Sequence, residues 1–110
     1  MASVPIPISS RADFQLALDD AFVAIREWIA KAPRFQTYQE IEVQLGAMKR
    51  WTANGRAPTE DERKSITIGP LVLRELDPEP DLDTYEKQEI LKACHYYFRE
   101  WPPEGKPPYA

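Results

Sequence analysis

The amino-acid sequence predicts an all-α fold, a compact bundle of four to five helices with extended Pro-rich termini. Three observations carry that expectation. All 11 prolines of the 110 residues fall between or outside segments of helical length, as suits a residue that costs a helix interior ~3 kcal/mol. Within those segments apolar residues recur at steps of three and four, the period of one helix face. A Ser, Thr or Asp with an acid three residues on stands near the start of each, the spacing of a capping box.

The elements follow in chain order. Pro5 and Pro7 mark residues 1–9 as an extended leader, and a single helical domain is expected over 10–101. In 11–32, Phe14, Leu18, Ala21, Phe22, Ile25, Trp28, Ile29 and Ala32 share one face, after the pair Ser10 and Asp13. Segment 38–53 opens on Thr37 and Glu40, carries Ile41, Gln44, Leu45, Met48 and Trp51 along a face, and stops at Asn54-Gly55. Thr59 with Glu62 starts a third helix, and Asp83 with Glu86 a last one. That last helix, about 84–101, aligns Ile90, Leu91, Cys94, Tyr97, Phe98 and Trp101 before Pro102. Trp28, Trp51 and Trp101 are expected in or beside one core. Residues 65–76 are ambiguous, because Ile66-Thr67-Ile68 and Leu71-Val72-Leu73 also suit two short strands about Gly69-Pro70. The local signals favour helices, with Gly69 ending one and Pro70 opening the next. Residues 102–110 form a stiff, non-helical Pro-rich tail, read as a disordered end.

Composition narrows the function classes. Fourteen basic against 18 acidic residues give a net charge of −4, which argues against nucleic acid or anionic lipid as the main ligand. A single cysteine, Cys94, permits no internal disulfide, and with one histidine it cannot assemble a structural zinc site. No apolar stretch is long enough to span a bilayer, and the N-terminus lacks the basic start and apolar run of a secretory signal, so a cytoplasmic protein is expected.

Nucleophilic catalysis finds no constellation here. Cys94 and His95 are adjacent and point about 100° apart on a helix; Cys94 reads as a buried thiol and His95 as an ordinary helix-flank residue. Four glycines, at 46, 55, 69 and 105, are too scattered for a phosphate-binding loop. No catalytic, cofactor or metal residue is therefore assigned. The charge pattern is more specific. Glu75, Asp77, Glu79, Asp81, Asp83, Glu86 and Glu89 stand against Lys87 alone, seven acids and one base, for a local charge of −6. The helix dipole accounts for acids in the first turn but not for those before it. The segment reads either as a solvated connector or as a surface that meets a basic partner. Tyr96 lies about 200° around the helix from Cys94 and is expected to be exposed. Glu75, Asp77, Glu79, Asp81, Asp83, Glu86 and Tyr96 are the candidate partner-binding residues.

The order of these features is more specific than any one of them. A helix ends in Ala32-Pro33-Arg34-Phe35. A second carries Glu42-Val43-Gln44-Leu45-Gly46-Ala47-Met48-Lys49-Arg50. Ile66-Thr67-Ile68-Gly69-Pro70-Leu71-Val72-Leu73-Arg74-Glu75-Leu76-Asp77 follows, then an acidic loop and a helix with Ala93 and Tyr96-Tyr97. Over about residues 16–98 this resembles the small helical immunity proteins of type VI secretion that neutralise an NAD(P)+ glycohydrolase effector. Residues 52–62 run longer than that pattern, and the Pro-rich tail has no counterpart in it. The resemblance implies a non-enzymatic, all-helical antitoxin that binds a cognate toxin domain and blocks the cleft where the dinucleotide enters. It also implies helices over 65–76. The competing reading is a helical adaptor or regulatory module that holds a peptide in a groove.

Overall fold

The computed structural model describes residues 8–106. Pro5 and Pro7 of the expected leader, and Pro107, Pro108 and Tyr109 of the expected tail, lie outside the described residues. Five α-helices run in the order α1 (Arg11–Lys31), α2 (Gln36–Trp51), α3 (Glu60–Ser65), α4 (Ile68–Glu75) and α5 (Leu82–Glu100), with a 3-10 turn over Ala53–Gly55. No strand occurs among the described residues, so the ambiguous stretch is helical. The central α1 packs on both α2 and α5, α4 covers a second side of α5, and α3 and α4 bridge to α5 and α2.

Local chemistry sets the helix limits, and in several places it differs from the expected spacing. Ser10 caps α1 by accepting from the Asp13 amide at 3.0 Å, while the Asp13 carboxylate takes the Ser9 hydroxyl instead of a backbone donor. Thr37 is no cap: α2 begins one residue earlier, behind Phe35, without a side-chain cap. Thr59 and Glu62 form the full reciprocal box of α3. Gly69 does not end α3 and Pro70 does not open α4. The break falls at Ile66-Thr67, and Pro70 is the third residue of α4, where its missing N–H has no intrahelical acceptor to lose. The last helix starts at Leu82 because Asp81, not Asp83, caps it through the Thr84 amide at 2.8 Å. After α2 the chain turns through Asn54 (φ 59°) and Gly55 (φ 78°), the left-handed stop that this pair suits.

One core forms where the apolar faces meet, around Phe14, Leu18, Ile25, Ile41, Leu45, Met48, Leu91, Tyr97 and Phe98, with Ile8 and Ile68 joining it. Trp28, Trp51 and Trp101 sit beside this core, half-buried rather than central. The fully buried rings are smaller. Phe14 stacks on Tyr97 with centroids 5.2 Å apart and meets Trp101 edge-on at 5.7 Å. The two ends of the domain are clasped above this cluster. The Arg11 guanidinium lies 4.2 Å over the Trp101 ring and donates to the Pro102 carbonyl at 2.6 Å. The Arg11 amide donates to the Glu104 carboxylate at 3.0 Å, so the tail, expected to be disordered, is held here as far as Glu104, at the positive end of α1.

His95 corrects the expectation of a helix-flank histidine: it is 3% exposed and faces α4. Gly69 of α4 lies against it so closely that a Cβ there would stand 2.8 Å from the imidazole Cδ2. The glycine therefore sets how near α4 approaches α5, and the imidazole Nδ1 is buried without a hydrogen-bond partner. Burial first, and the neighbouring Arg99 charge second, push His95 down to about 4 from its ordinary 6.5.

Two expectations follow. Phe14→Ala removes a fully buried ring and should cost ~3–5 kcal/mol, much of the ~5–15 kcal/mol available to a domain of this size. Trp28→Ala, from a half-buried site beside Tyr38, should cost clearly less; urea unfolding of both variants checks the order. The second concerns pH. Between 6.5 and about 4 the unfolded chain takes up a proton on His95 that the folded chain does not. Stability should therefore fall as pH falls through that window. Glu62 and Asp81, held low by the Thr59 and Thr84 amides, add their losses only below their ordinary values of 4.5 and 3.8. Thermal midpoints measured between pH 6.5 and 4.5 should fall for the parent and stay nearly level for His95→Gln.

Candidate protein-interaction surface

The acidic residues occupy the end of α4, the connection to α5 and the first turns of α5. Glu75 closes α4 and is exposed, as are Asp77, Glu79, Asp81, Asp83 and Glu86. Several also hold local structure. Asp77 accepts from the Glu79 amide at 2.9 Å, a turn that an aspartate or asparagine builds by itself. Its backbone carbonyl accepts from the buried Gln88 side chain at 3.2 Å, which ties the loop down to α5. Asp81 is the helix cap, and its hydrogen bond from the Thr84 amide keeps the carboxyl below its usual range. Asp83 pairs with Lys87 at 2.9 Å, and Lys87 reaches Glu27 of α1 at 3.2 Å. The Asp83 hydrogen bond, then that of Glu27, raise the Lys87 ammonium above its ordinary value. Glu89 is half-buried and paired with Lys92 at 2.7 Å, so it adds less to the field than the sequence count suggests.

Glu79 and Glu86 engage no cation in an ion pair among the described residues. The single base of the segment is committed to Asp83 and Glu27. What remains outward is a negative surface with its backbone fixed by Asx and cap hydrogen bonds. Such a surface presents charge in a set geometry, which favours steering of a positively charged partner.

Tyr96 is exposed on α5, as expected, with its ring edge-on to buried His95 at 5.2 Å. It is not part of the acidic cluster: it stands 14 residues beyond Leu82, ~21 Å along the helix. The two share a face. At 100° per residue, Leu82, Tyr85, Glu86, Glu89 and Tyr96 fall within about 100° of one another on the side of α5 away from the core. Sequence reasoning missed Leu82 and Tyr85. The spacing of 11 residues between Tyr85 and Tyr96, just over three whole turns, was the available signal.

The remaining chemistry lies elsewhere. Cys94 is fully buried and burial pushes its thiol up, away from the thiolate that nucleophilic chemistry requires. Among the described residues, no group of three or more His, Cys, Asp or Glu side chains is placed to hold a metal ion. No described helix is long and apolar enough to cross a membrane. A cavity of about 310 Å³, lined by Arg11, Gln15, Thr52, Asn54, Gly55 and Trp101, opens at the other end of α5 from the acidic segment.

Comparison with curated proteins and with solved structures returns no match. The chain does match the model of the Tsi6 family over residues 15–100, from the first turns of α1 to the last residue of α5. That span holds α2 to α5 whole, all of α1 but its first four residues, the acidic segment and Tyr96, and the chain belongs to the Tsi6 family of type VI secretion immunity proteins.

Proposed function

We propose that this protein is a cytoplasmic antitoxin that binds the toxin domain of a cognate secreted effector, an NAD(P)+ glycohydrolase, and blocks its active-site cleft. Family membership carries the reading, since an immunity family implies a non-enzymatic inhibitor with a protein toxin as partner. The exposed acidic segment supports the mode of binding. A cleft that accepts an anionic dinucleotide is expected to be basic, and a surface with the charge of Glu75, Asp77, Glu79, Asp81, Asp83 and Glu86 complements it. In this reading the acids steer the encounter, and the helical scaffold keeps them in place without an ordering cost at binding.

The reading is tested by producing the chain with the toxin domain encoded in the neighbouring gene. Co-purification as a complex, protection of cells that express the toxin, and no NAD+ hydrolysis by the isolated chain are expected. Turnover by the isolated chain, or failure to bind the toxin, overturns the reading. The steering role has its own check. The four substitutions Asp77→Asn, Glu79→Gln, Asp81→Asn and Asp83→Asn remove charge but keep the hydrogen-bond acceptors of the turn and the cap. They should slow association by tenfold or more at low salt and far less at ~0.5 M salt, with little change in thermal stability. An unchanged association rate at low salt would leave the segment a solvated connector.

A further inference from the structure

Large apolar side chains left in water are the feature of this fold that its own stability does not explain. Four of them stand on α4 and α5: Leu73 is 66% exposed, Leu82 73%, Tyr85 49% and Tyr96 43%. Three lie on the outer row of α5. Leu73 lies one turn along α4 from Gly69, the residue pressed on His95 of α5. The core packing of α4 and α5 is complete beneath them: Leu71, Val72, Leu91, Cys94 and Phe98 are all buried. The row is therefore outward because the inner face is filled.

Tyr85 and Tyr96 stand ~16 Å apart along the axis and about 20° apart around it. Two rings at that separation match a groove that receives a helix lengthwise, and tyrosine gives large contact area at small entropic cost with a hydroxyl for the groove edge. The charges between them narrow the choice of occupant. Glu86 flanks the row and the acidic loop adjoins its start, whereas Glu89 lies within it and is paired with Lys92, so the complementary surface is basic at the Tyr85 end. A second copy of this chain, with net charge −4 and the same acids at the same place, would bring like charges together.

Resting on the immunity reading above, we infer that α5 enters the toxin cleft lengthwise, with Tyr85 and Tyr96 as its anchors and Leu73 and Leu82 closing the apolar contact at its sides. The division of labour with the acidic loop is kinetic. Charges that act at a distance set the rate of encounter, whereas rings packed into pockets set how long the complex lasts.

Surface-captured chain and the purified, catalytically disabled toxin domain provide the test. Tyr85→Ala and Tyr96→Ala should each speed dissociation at least tenfold, and the pair at least a hundredfold, while association changes less than threefold. Circular dichroism and thermal midpoints should match the parent, because both rings are half in water already. Leu16→Ser and Val23→Ser, on the exposed face of α1, serve as controls and should leave both rates unchanged. Parent-like dissociation of the two tyrosine variants overturns the inference while the immunity reading stands. Faster dissociation of the α1 variants alone moves the interface to α1 and overturns it equally. If the parent chain fails to bind the toxin, the immunity reading falls and the inference falls with it.

Discussion

The contact of Phe14 with Tyr97 and Phe98 joins the first helix to the last, and the orientation of everything outside it follows from that junction. Phe14 has no exposed surface, stacks on Tyr97 and lies 6.3 Å from Phe98 by ring centroids. Residues so far apart in sequence carry a large loop-closure cost, and aromatic burial at this point offsets it. Arg11 completes the junction by covering Trp101 and donating to Tyr97 and Pro102. Once Tyr97 and Phe98 are committed inward, helical geometry turns Tyr96 outward. The exposed row on α5 is the geometric complement of the aromatic core.

The second constraint is the approach of α4 to α5. A short helix such as α4 has little stability of its own, so packing has to hold it in place. Gly69 allows its backbone to lie against the His95 ring, and Ile68, Leu71 and Val72 fill the space behind. The result is a tight seam with one cost, the unpartnered imidazole Nδ1. The seam also positions the acidic segment, which is suspended between these two helices. Where α4 ends and α5 begins decides where Asp77, Glu79 and Asp81 stand.

Within that segment, structure and charge are served by the same side chains. Asp77 and Asp81 form local hydrogen bonds that asparagine also forms, so geometry alone does not require their charge. Asp83 uses its charge on Lys87, which in turn reaches α1. Exposed ion pairs of this kind contribute little to stability. The density of carboxylates therefore exceeds what folding needs, and on that excess the proposal of a basic partner rests.

By itself the sequence determined the helical class, the core faces of α1, α2 and α5, the Ser10 cap and the Thr59–Glu62 pair, the acidic segment and the exposure of Tyr96. Each of these rests on neighbours within about four residues, where periodicity and capping chemistry act directly. The position of the α3–α4 break, the cap at Asp81 and the burial of His95 were decided by tertiary structure. Gly69 and Pro70 read locally as a helix end and a helix start, and only the docking of α4 on α5 puts both in one helix. His95 reads as a flank residue until α4 arrives to cover it. Glu104 sits at the start of α1 because the aromatic junction brings the two ends together, and no spacing in the chain announces a contact across 93 residues. Leu73, Leu82 and Tyr85 became a surface for the same reason: which apolar residues remain in water is known only after the rest have been buried.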